Sequence, residues 1–346
     1  MARAGLDRYG RWAAPALMLA ANLPDAESLL TIGATKPVYL LSHRGLSHTF
    51  LGALIGSAIF AGIVCIVDRK VSRAAGDNGK PASWPVAFGV ILAGVLSHLL
   101  LDWFNTYGVQ PLIPFNEQHF YGDFAFIIDP WMWLILGTTC FLCSPLNRLS
   151  QFIWPCGTML TTGLVAWAVQ QRIVTSTVLL LWVAGVTLAL ALRKFHPKAT
   201  RNSALAGLTL WAVYCIVLFG MSRVCDIRAL RQFRQSHPQE EIGAHSANPT
   251  PGIPWRFEVI VQSNKRLYHY SCNLMSGVML AETVDSNLDD PALEQIRETL
   301  EYRAWSSFAR HPVAKRRGPF MVLGDMRYQV GNRGDWTELV VPFPHP

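Results

Sequence analysis

The stretch W-P-V-A-F-G-V-I-L-A-G-V-L-S-H-L-L-L-D, residues 84–102, decides the fold. Before its final Asp102 it holds no Asp, Glu, Lys or Arg, and its length is close to the ~20 residues that an α-helix needs to cross a bilayer. His98 and Asp102 lie near its end. Ionisable side chains in such a run are costly unless they have partners. The stretch therefore predicts both a membrane protein and a functional site.

Further apolar runs support a membrane bundle. Only 15% of the residues are charged, against about 25% in soluble domains. One run, 12–23, is too short to cross, and we expect it to be half-membrane or re-entrant. We predict an all-α polytopic bundle of about six or seven helices over residues 1–222. The other predicted spans are 46–67, 124–143, 152–169, 174–192 and 204–221.

The remaining chain has a different composition. Residues 223–346 hold 15 of the 30 Lys and Arg and 14 of the 23 Asp and Glu, which is typical of a water-soluble part. We predict a juxtamembrane helix and Pro-rich linker over 223–254 and a small soluble α+β domain over 255–346. Strands are expected at 257–261, 267–272, 278–284, 320–329 and 338–341, and one helix is expected after Pro291.

The basic residues predict the orientation. Loops 68–83 and 193–202, together with Arg148, hold nine Lys and Arg, whereas the alternate loops hold three. The richer loops should be cytoplasmic, which places the C-terminal domain on the non-cytoplasmic side. Four arginines in 223–234 argue the other way, but long domains count less in this rule. The net charge of +7 is then explained by the basic residues that set the topology, and no nucleic-acid partner is indicated.

Candidate ligands converge on one membrane face under this topology. His98 and Asp102 are four residues apart and share one face of a helix. In H-R-G-L-S-H, Gly45 and Ser47 indicate a turn into a helix, which would bring His43 beside His48. The alternatives are a His–Asp hydrogen bond that holds helices together and polar residues at a membrane interface.

Carboxylates and an arginine complete the predicted site. Asp25 in N-L-P-D-A-E is a candidate ligand or general base, with a Pro-Asp surface turn as the alternative. Asp129 is a second candidate base, and Arg44 a candidate for holding an anionic substrate group. The mixed nitrogen and oxygen set favours a divalent metal, Zn²⁺ or Mn²⁺ above all. The predicted metal ligands are His43, His48, His98, Asp102 and Asp25.

Hydrolysis is the chemistry that this set favours. A divalent ion would activate water to attack an ester or phosphoester of an amphiphilic substrate in the bilayer. No G-x-S-x-G, Walker or dinucleotide-binding motif supports another chemistry. Two alternatives stay open: a non-catalytic metal- or haem-binding membrane protein, and an ion- or proton-coupled transporter. The sequence shows no convincing internal repeat of the kind that many transporters have.

Four motifs resemble one bacterial family, over about residues 5–145. They are P-D-x-E at 24–27, H-R-G-L-S-H at 43–48, S-H-L-L-L-D-x-x-N-T-Y-G at 97–108 and I-I-D-P at 127–130. The family is that of inner-membrane metal-dependent hydrolases described as LexA-binding. The resemblance implies metal or catalytic roles for Asp25, His43, His48, His98 and Asp102, with Asp129 as a further candidate, and it implies an inner-membrane location.

The chain departs from this family at two places. Glu27 stands where the family tends to have Asp. Family members usually begin with a short segment carrying Thr-His, whereas this chain opens M-A-R-A-G-L. We therefore expect the natural start to lie upstream, in which case one ligand and half of an N-terminal hairpin would be missing here.

Overall fold

The computed structural model describes residues 1–74, 81–145, 147–195, 201–328 and 337–343. Ten α-helices and seven strands lie in these ranges, with the helices first. Lys80 and Lys198, which belong to the basic residues counted for the orientation, lie outside the described residues, as does Gln329 of a predicted strand. The helices are α1 Ala13–Ala20, α2 Lys36–Ser42, α3 Phe50–Ala74, α4 Trp84–Phe104, α5 Pro130–Cys143, α6 Arg148–Gln170, α7 Ser176–Phe195, α8 Arg201–Ser236, α9 Ala292–Ile296 and α10 Leu300–Phe308.

Five of the described helices are long and apolar enough to cross a membrane, namely α3, α4, α6, α7 and α8. The predicted polytopic bundle is confirmed. Two shorter apolar helices accompany them. The eight residues of α1 agree with the short first run. The predicted span 124–143 forms helix only from Pro130, because the Asp129 side chain caps that helix.

Small residues let the first helices approach closely. On α3 the buried face is Ala53, Ser57, Ala61 and Cys65, at four-residue intervals. On α4, a Cβ added at Gly94 would lie 2.9 Å from the Cβ of Ala20 on α1. Small faces of this kind are typical of helix pairs in membranes, where close packing stabilises the pair. They hold α1, α3 and α4 together around the end of α4 that carries the predicted ligands.

Helix α8 joins the membrane part to the C-terminal part without a break. Its 36 residues extend about 54 Å, well beyond the ~30 Å of a hydrocarbon core. Near its end, the buried Cys225, Ala229 and Phe233 pack against strand residues such as Phe257. The predicted juxtamembrane helix is therefore the end of the last membrane helix, and it forms part of the C-terminal core.

The C-terminal part contains two antiparallel sheets. One has the order β1-β2-β3-β4 and the other β5-β6-β7. The first sheet starts inside the predicted linker, which is a difference from the prediction. Strand β1 has weak strand propensity, yet pairing with β2 satisfies the hydrogen-bonding groups of its backbone, and Ser246 and Ala247 are buried. The strands are β1 Ile242–Pro249, β2 Arg256–Ser263, β3 Arg266–Asn273, β4 Gly277–Asp285, β5 Pro312–Arg317, β6 Phe320–Asp325 and β7 Leu339–Pro342.

Two other local features differ from the prediction. Strand β5 was not predicted from the pattern, because only its residues Val313 and Ala314 are buried. The expected single helix after Pro291 is two helices, since Thr299 adopts an extended conformation and its side chain caps α10 at the amide of Tyr302.

The C-terminal part packs on the same end of the bundle as the predicted ligands. Leu40 on α2 and Tyr107 after α4 share a hydrophobic core with Leu293 and Phe308. The ammonium of Lys36 also donates to the backbone carbonyl of Glu338 over 2.9 Å. The extramembrane domain and the predicted site are therefore direct neighbours.

Candidate metal centre

The predicted pair on α4 forms as expected. His98 and Asp102 lie one helical turn apart, with Nε2 of His98 3.4 Å from Oδ2 of Asp102. Both side chains are largely buried, at 14% and 15% exposure. The four-residue spacing is sufficient for this contact, because it stacks the two side chains on one helix face.

Two other segments bring their side chains to the same point. Asp25 lies at the start of a 3-10 helix, Pro24–Thr31, and His48 ends the 3-10 turn Leu46–His48. Oδ1 of Asp25 lies 3.4 Å from Nε2 of His48 and 3.5 Å from Nε2 of His98. One ligand atom from each of these three residues lies within 4.8 Å of the other two, and the group could hold a metal ion.

Asp102 completes a ring of four potential ligand atoms. Its Oδ2 lies 3.3 Å from Nε2 of His48, so each imidazole nitrogen faces both carboxylates at 3.3–3.5 Å. Nitrogen and oxygen ligands about 2.0–2.1 Å from a tetrahedral ion are about 3.3–3.4 Å apart. The spacing therefore fits one small divalent ion at the centre of the ring.

Buried atoms without hydrogen-bond partners support the same fit. Nε2 of His48, Nε2 of His98 and Oδ2 of Asp102 are all buried, and none has such a partner in the described part of the chain. Burying polar atoms without partners costs free energy. A cation would satisfy all three atoms at once.

The other nitrogen of each imidazole is held by the protein. Nδ1 of His98 lies 2.8 Å from the carbonyl oxygen of Ala21, which can only accept a hydrogen bond. Nδ1 of His48 lies 2.9 Å from the Ser47 hydroxyl oxygen, whose own proton is donated to Glu27, and 3.2 Å from Oε1 of Glu27. Both Nδ1 atoms therefore carry the proton, which leaves both Nε2 lone pairs directed into the ring. Metal-binding histidines are commonly oriented in this way.

Glu27 is the residue that the sequence prediction left out of the site. Besides His48, its carboxylate accepts hydrogen bonds from the amide of Arg44, at 2.5 Å, and from the Ser47 hydroxyl. It thus fixes the turn that carries His48. The signal for it was the motif P-D-x-E, in which an acid follows Asp25 two residues later.

Arg44 is buried and supports Asp102. One guanidinium nitrogen donates to Oδ1 of Asp102 over 2.6 Å, and another donates to the carbonyl of Gly108 over 2.8 Å. Its backbone has φ 60°, in the left-handed region, and this turns the chain between α2 and His48. Binding of an anionic substrate group by Arg44 stays a prediction, and the contacts in the structure are all internal.

Two predicted residues lie outside the ring. His43 stacks on Tyr39, with 4.9 Å between ring centroids, and its Nδ1 is 3.9 Å from Oε1 of Glu27. It is beside His48, as expected, but is not one of the three residues grouped around the ion position. The carboxylate of Asp129 instead accepts from the amides of Trp131 and Met132. It also accepts from the Tyr214 hydroxyl, so its contacts are those of a helix cap.

The local charge favours a divalent cation. Three carboxylates, those of Asp25, Glu27 and Asp102, surround the site, and Arg44 offsets one of them. Contact with His48 lowers the pKa of Asp25 well below its usual range. With neutral imidazoles, a net charge of about −2 remains to be compensated.

Comparison with known proteins identifies the part of the chain that contains this site. The model of a family described as YdjM inner membrane protein matches residues 1–173, which is half of the chain. All the residues of the ring lie inside that match. No curated protein and no solved structure matches the chain.

Proposed function

The chain belongs to the YdjM inner membrane protein family. We propose that it is a membrane-embedded, metal-dependent hydrolase. The observation that carries the proposal is the ring of Asp25, His48, His98 and Asp102. Its members come from three separate segments and direct two imidazole nitrogens and two carboxylates toward one point. Such a set needs a physical reason, because desolvation of each group is costly.

The donor set favours Zn²⁺ or Mn²⁺ as the bound ion. Two imidazoles and two carboxylates suit these ions better than Ca²⁺, which takes oxygen ligands, or Cu⁺, which prefers sulfur. When bound, such an ion activates a water molecule for attack on a carbonyl or phosphoryl centre. Asp25, His48, His98 and Asp102 are the proposed ligands.

The protein's own groups have distinct proposed roles in hydrolysis. Asp25 is 52% exposed, so it is on the open side of an otherwise buried ring. Oδ1 of this carboxylate faces the two imidazoles, and its other oxygen, Oδ2, is the atom best placed to accept the proton of the attacking water. Glu27 and Arg44 are positioning residues, since they hold His48 and Asp102 from outside the ring. In this proposal Asp25, rather than the helix cap Asp129, is the base.

The surroundings of Asp25 support an amphiphilic substrate. Leu29, Leu30 and Ile32 follow it on the same segment and are 68–89% exposed. An apolar rim next to the open side of a polar site suits a molecule with a polar ester or phosphoester group and a hydrocarbon part. Such a substrate would reach the site from the bilayer.

The ring geometry disfavours haem among the alternatives. The rings of His48 and His98 have centroids 5.3 Å apart and planes at 61°, and both carboxylates contact both Nε2 atoms. The carboxylates occupy the space in which a porphyrin between the two imidazoles would have to lie.

Metal analysis combined with turnover tests the proposal. Purified protein should contain about one Zn²⁺ or Mn²⁺ per chain and should cleave members of a chromogenic ester and phosphoester panel presented in micelles. His98→Ala should lose both properties, whereas His245→Ala should keep them, because His245 pairs with Asp226 on α8 and not with a residue of the ring. Wild-type protein that holds metal but cleaves nothing in the panel would favour a non-catalytic metal-binding protein. Wild-type protein that binds no metal would contradict the proposal.

A further inference from the structure

The C-terminal domain lies beyond the family match, yet it packs against the end of the bundle that holds the metal centre, at α2 and at the loop that follows α4. We propose that this domain is a positioning element of the metal centre, which acts through residues 105–108 and Arg44 on the ligand Asp102. The proposal rests on the proposed metal site but not on the hydrolytic reaction. Three layers of contacts carry it, from the ring outward.

The first layer is the contact between Arg44 and Asp102. Oδ1 of Asp102 accepts from the guanidinium over 2.6 Å, while Oδ2 faces the two imidazoles. A charge-assisted bond of this kind is short and strongly oriented. The direction of Oδ2 therefore depends on where the Arg44 guanidinium lies.

The second layer fixes that guanidinium. It donates to Oδ1 of Asn105 over 3.2 Å and to the carbonyl of Gly108 over 2.8 Å. Its central carbon lies 4.5 Å from the centre of the Tyr107 ring, over the aromatic face. All three partners belong to the loop that follows α4. The position of Arg44 is thus determined by the position of that loop.

The third layer belongs to the C-terminal domain. The ring of Phe308 on α10 packs on Tyr107, with 4.8 Å between centroids. Arg327 donates to the carbonyl of Thr106 over 2.5 Å. Arg327 is itself buried and rigidly held, since it also donates to Asp325 over 2.7 Å and to the carbonyl of Phe308 over 3.0 Å. The loop is therefore clamped between Arg44 and the C-terminal domain.

A second group of contacts joins the C-terminal domain to the segment between α4 and α5, nearer to α5. Arg310 donates to the buried carboxylate of Asp123 over 2.7 Å, and its guanidinium lies 4.1 Å from the centre of the Tyr121 ring. The segment between α4 and α5 is thus fixed to the domain at both ends. Loosening the domain should leave Asp102 in place on its helix but should free Arg44, and with it the orientation of the carboxylate.

Zn²⁺ affinity and the visible spectrum of the Co²⁺-loaded full-length protein test this inference. Phe308→Ala removes the ring behind Tyr107, and Phe308→Leu is a milder change that keeps most of the core filled. We expect Phe308→Ala to weaken Zn²⁺ binding about tenfold, the low end of the range for outer-sphere changes, and Phe308→Leu to weaken it less. Both should shift the Co²⁺ d–d bands, which report ligand geometry.

The matched control is Phe257→Leu. Phe257 is fully buried in the same C-terminal part, but it packs against α8 and not against the loop. It should leave the Zn²⁺ affinity and the Co²⁺ bands unchanged. Unchanged affinity and bands in Phe308→Leu and in folded Phe308→Ala would overturn the inference, as would an equal loss in Phe257→Leu. Metal binding without turnover in the wild type would instead refute only the hydrolase.

Discussion

Replacement of Glu27 by Gln tests whether the residues around the ring set its metal affinity. The Glu27 carboxylate accepts hydrogen bonds from the Arg44 amide and the Ser47 hydroxyl and lies 3.2 Å from Nδ1 of His48, and its side chain is only 16% exposed. Glutamine has the same shape but no charge. The substitution reduces the local charge from about −2 to −1 and makes His48 a weaker donor to the ion.

The expected magnitude follows from the position of Glu27 outside the ring. Carboxylates that hold a ligating histidine typically contribute about 10–100-fold to metal affinity, or about 1.4–2.7 kcal/mol. We expect Glu27→Gln to weaken Zn²⁺ binding by that factor, measured by competition with a chromophoric chelator at pH 7.5. Glu117→Gln is the matched control, because it removes the same charge from an exposed position in a loop. An affinity within about twofold of wild type, or an equal loss in the control, would refute the reasoning.

Three further predictions concern packing, acid stability and topology. Gly94→Ala should destabilise the detergent-solubilised protein by about 1–3 kcal/mol, because the added methyl meets Ala20 and the Leu17 carbonyl at 2.9–3.0 Å. Gly89→Ala on the same helix is the control and should not have this cost, because its added methyl meets nothing within 4 Å. Burial lowers the pKa of His311 to about 3, below its unfolded value of about 6.5. The free energy of unfolding should therefore fall as the pH drops from about 6.5 toward 3, by up to ~1.4 kcal/mol per pH unit. The variant His311→Gln should show a smaller dependence on pH. The loop charges predict that the C-terminal domain lies outside the cytoplasm. Alkaline phosphatase fused after the last residue should therefore be active in cells, and a fused green fluorescent protein should be dark.

Each of these has a clear contrary outcome. Equal melting temperatures for the Gly94 and Gly89 variants would show that α1 shifts to accept the added methyl without loss of stability. An unchanged pH slope in His311→Gln would assign the acid sensitivity to other groups, of which the buried Asp325 is the nearest candidate. A fluorescent fusion would reverse the orientation, and the arginines after the last membrane helix would then be the deciding charges.

The membrane architecture and half of the metal centre could be predicted from local patterns. Long uncharged runs predict membrane helices because a bilayer leaves few other solutions for the backbone. The four-residue interval between His98 and Asp102 predicts their contact, since helical geometry alone fixes it. Alternation of apolar residues likewise predicts strands β2 and β3.

The rest depends on contacts between segments that are distant in sequence. Only the tertiary structure shows that His48 rather than His43 reaches the ring, because the left-handed turn at Arg44 and the following 3-10 turn decide which imidazole faces inward. Only the tertiary structure shows that Arg44 holds Asp102 and that Glu27 holds His48, across 58 and 21 residues of chain. Periodicity reports how a segment faces its surroundings, whereas these pairings follow from how separate segments pack together.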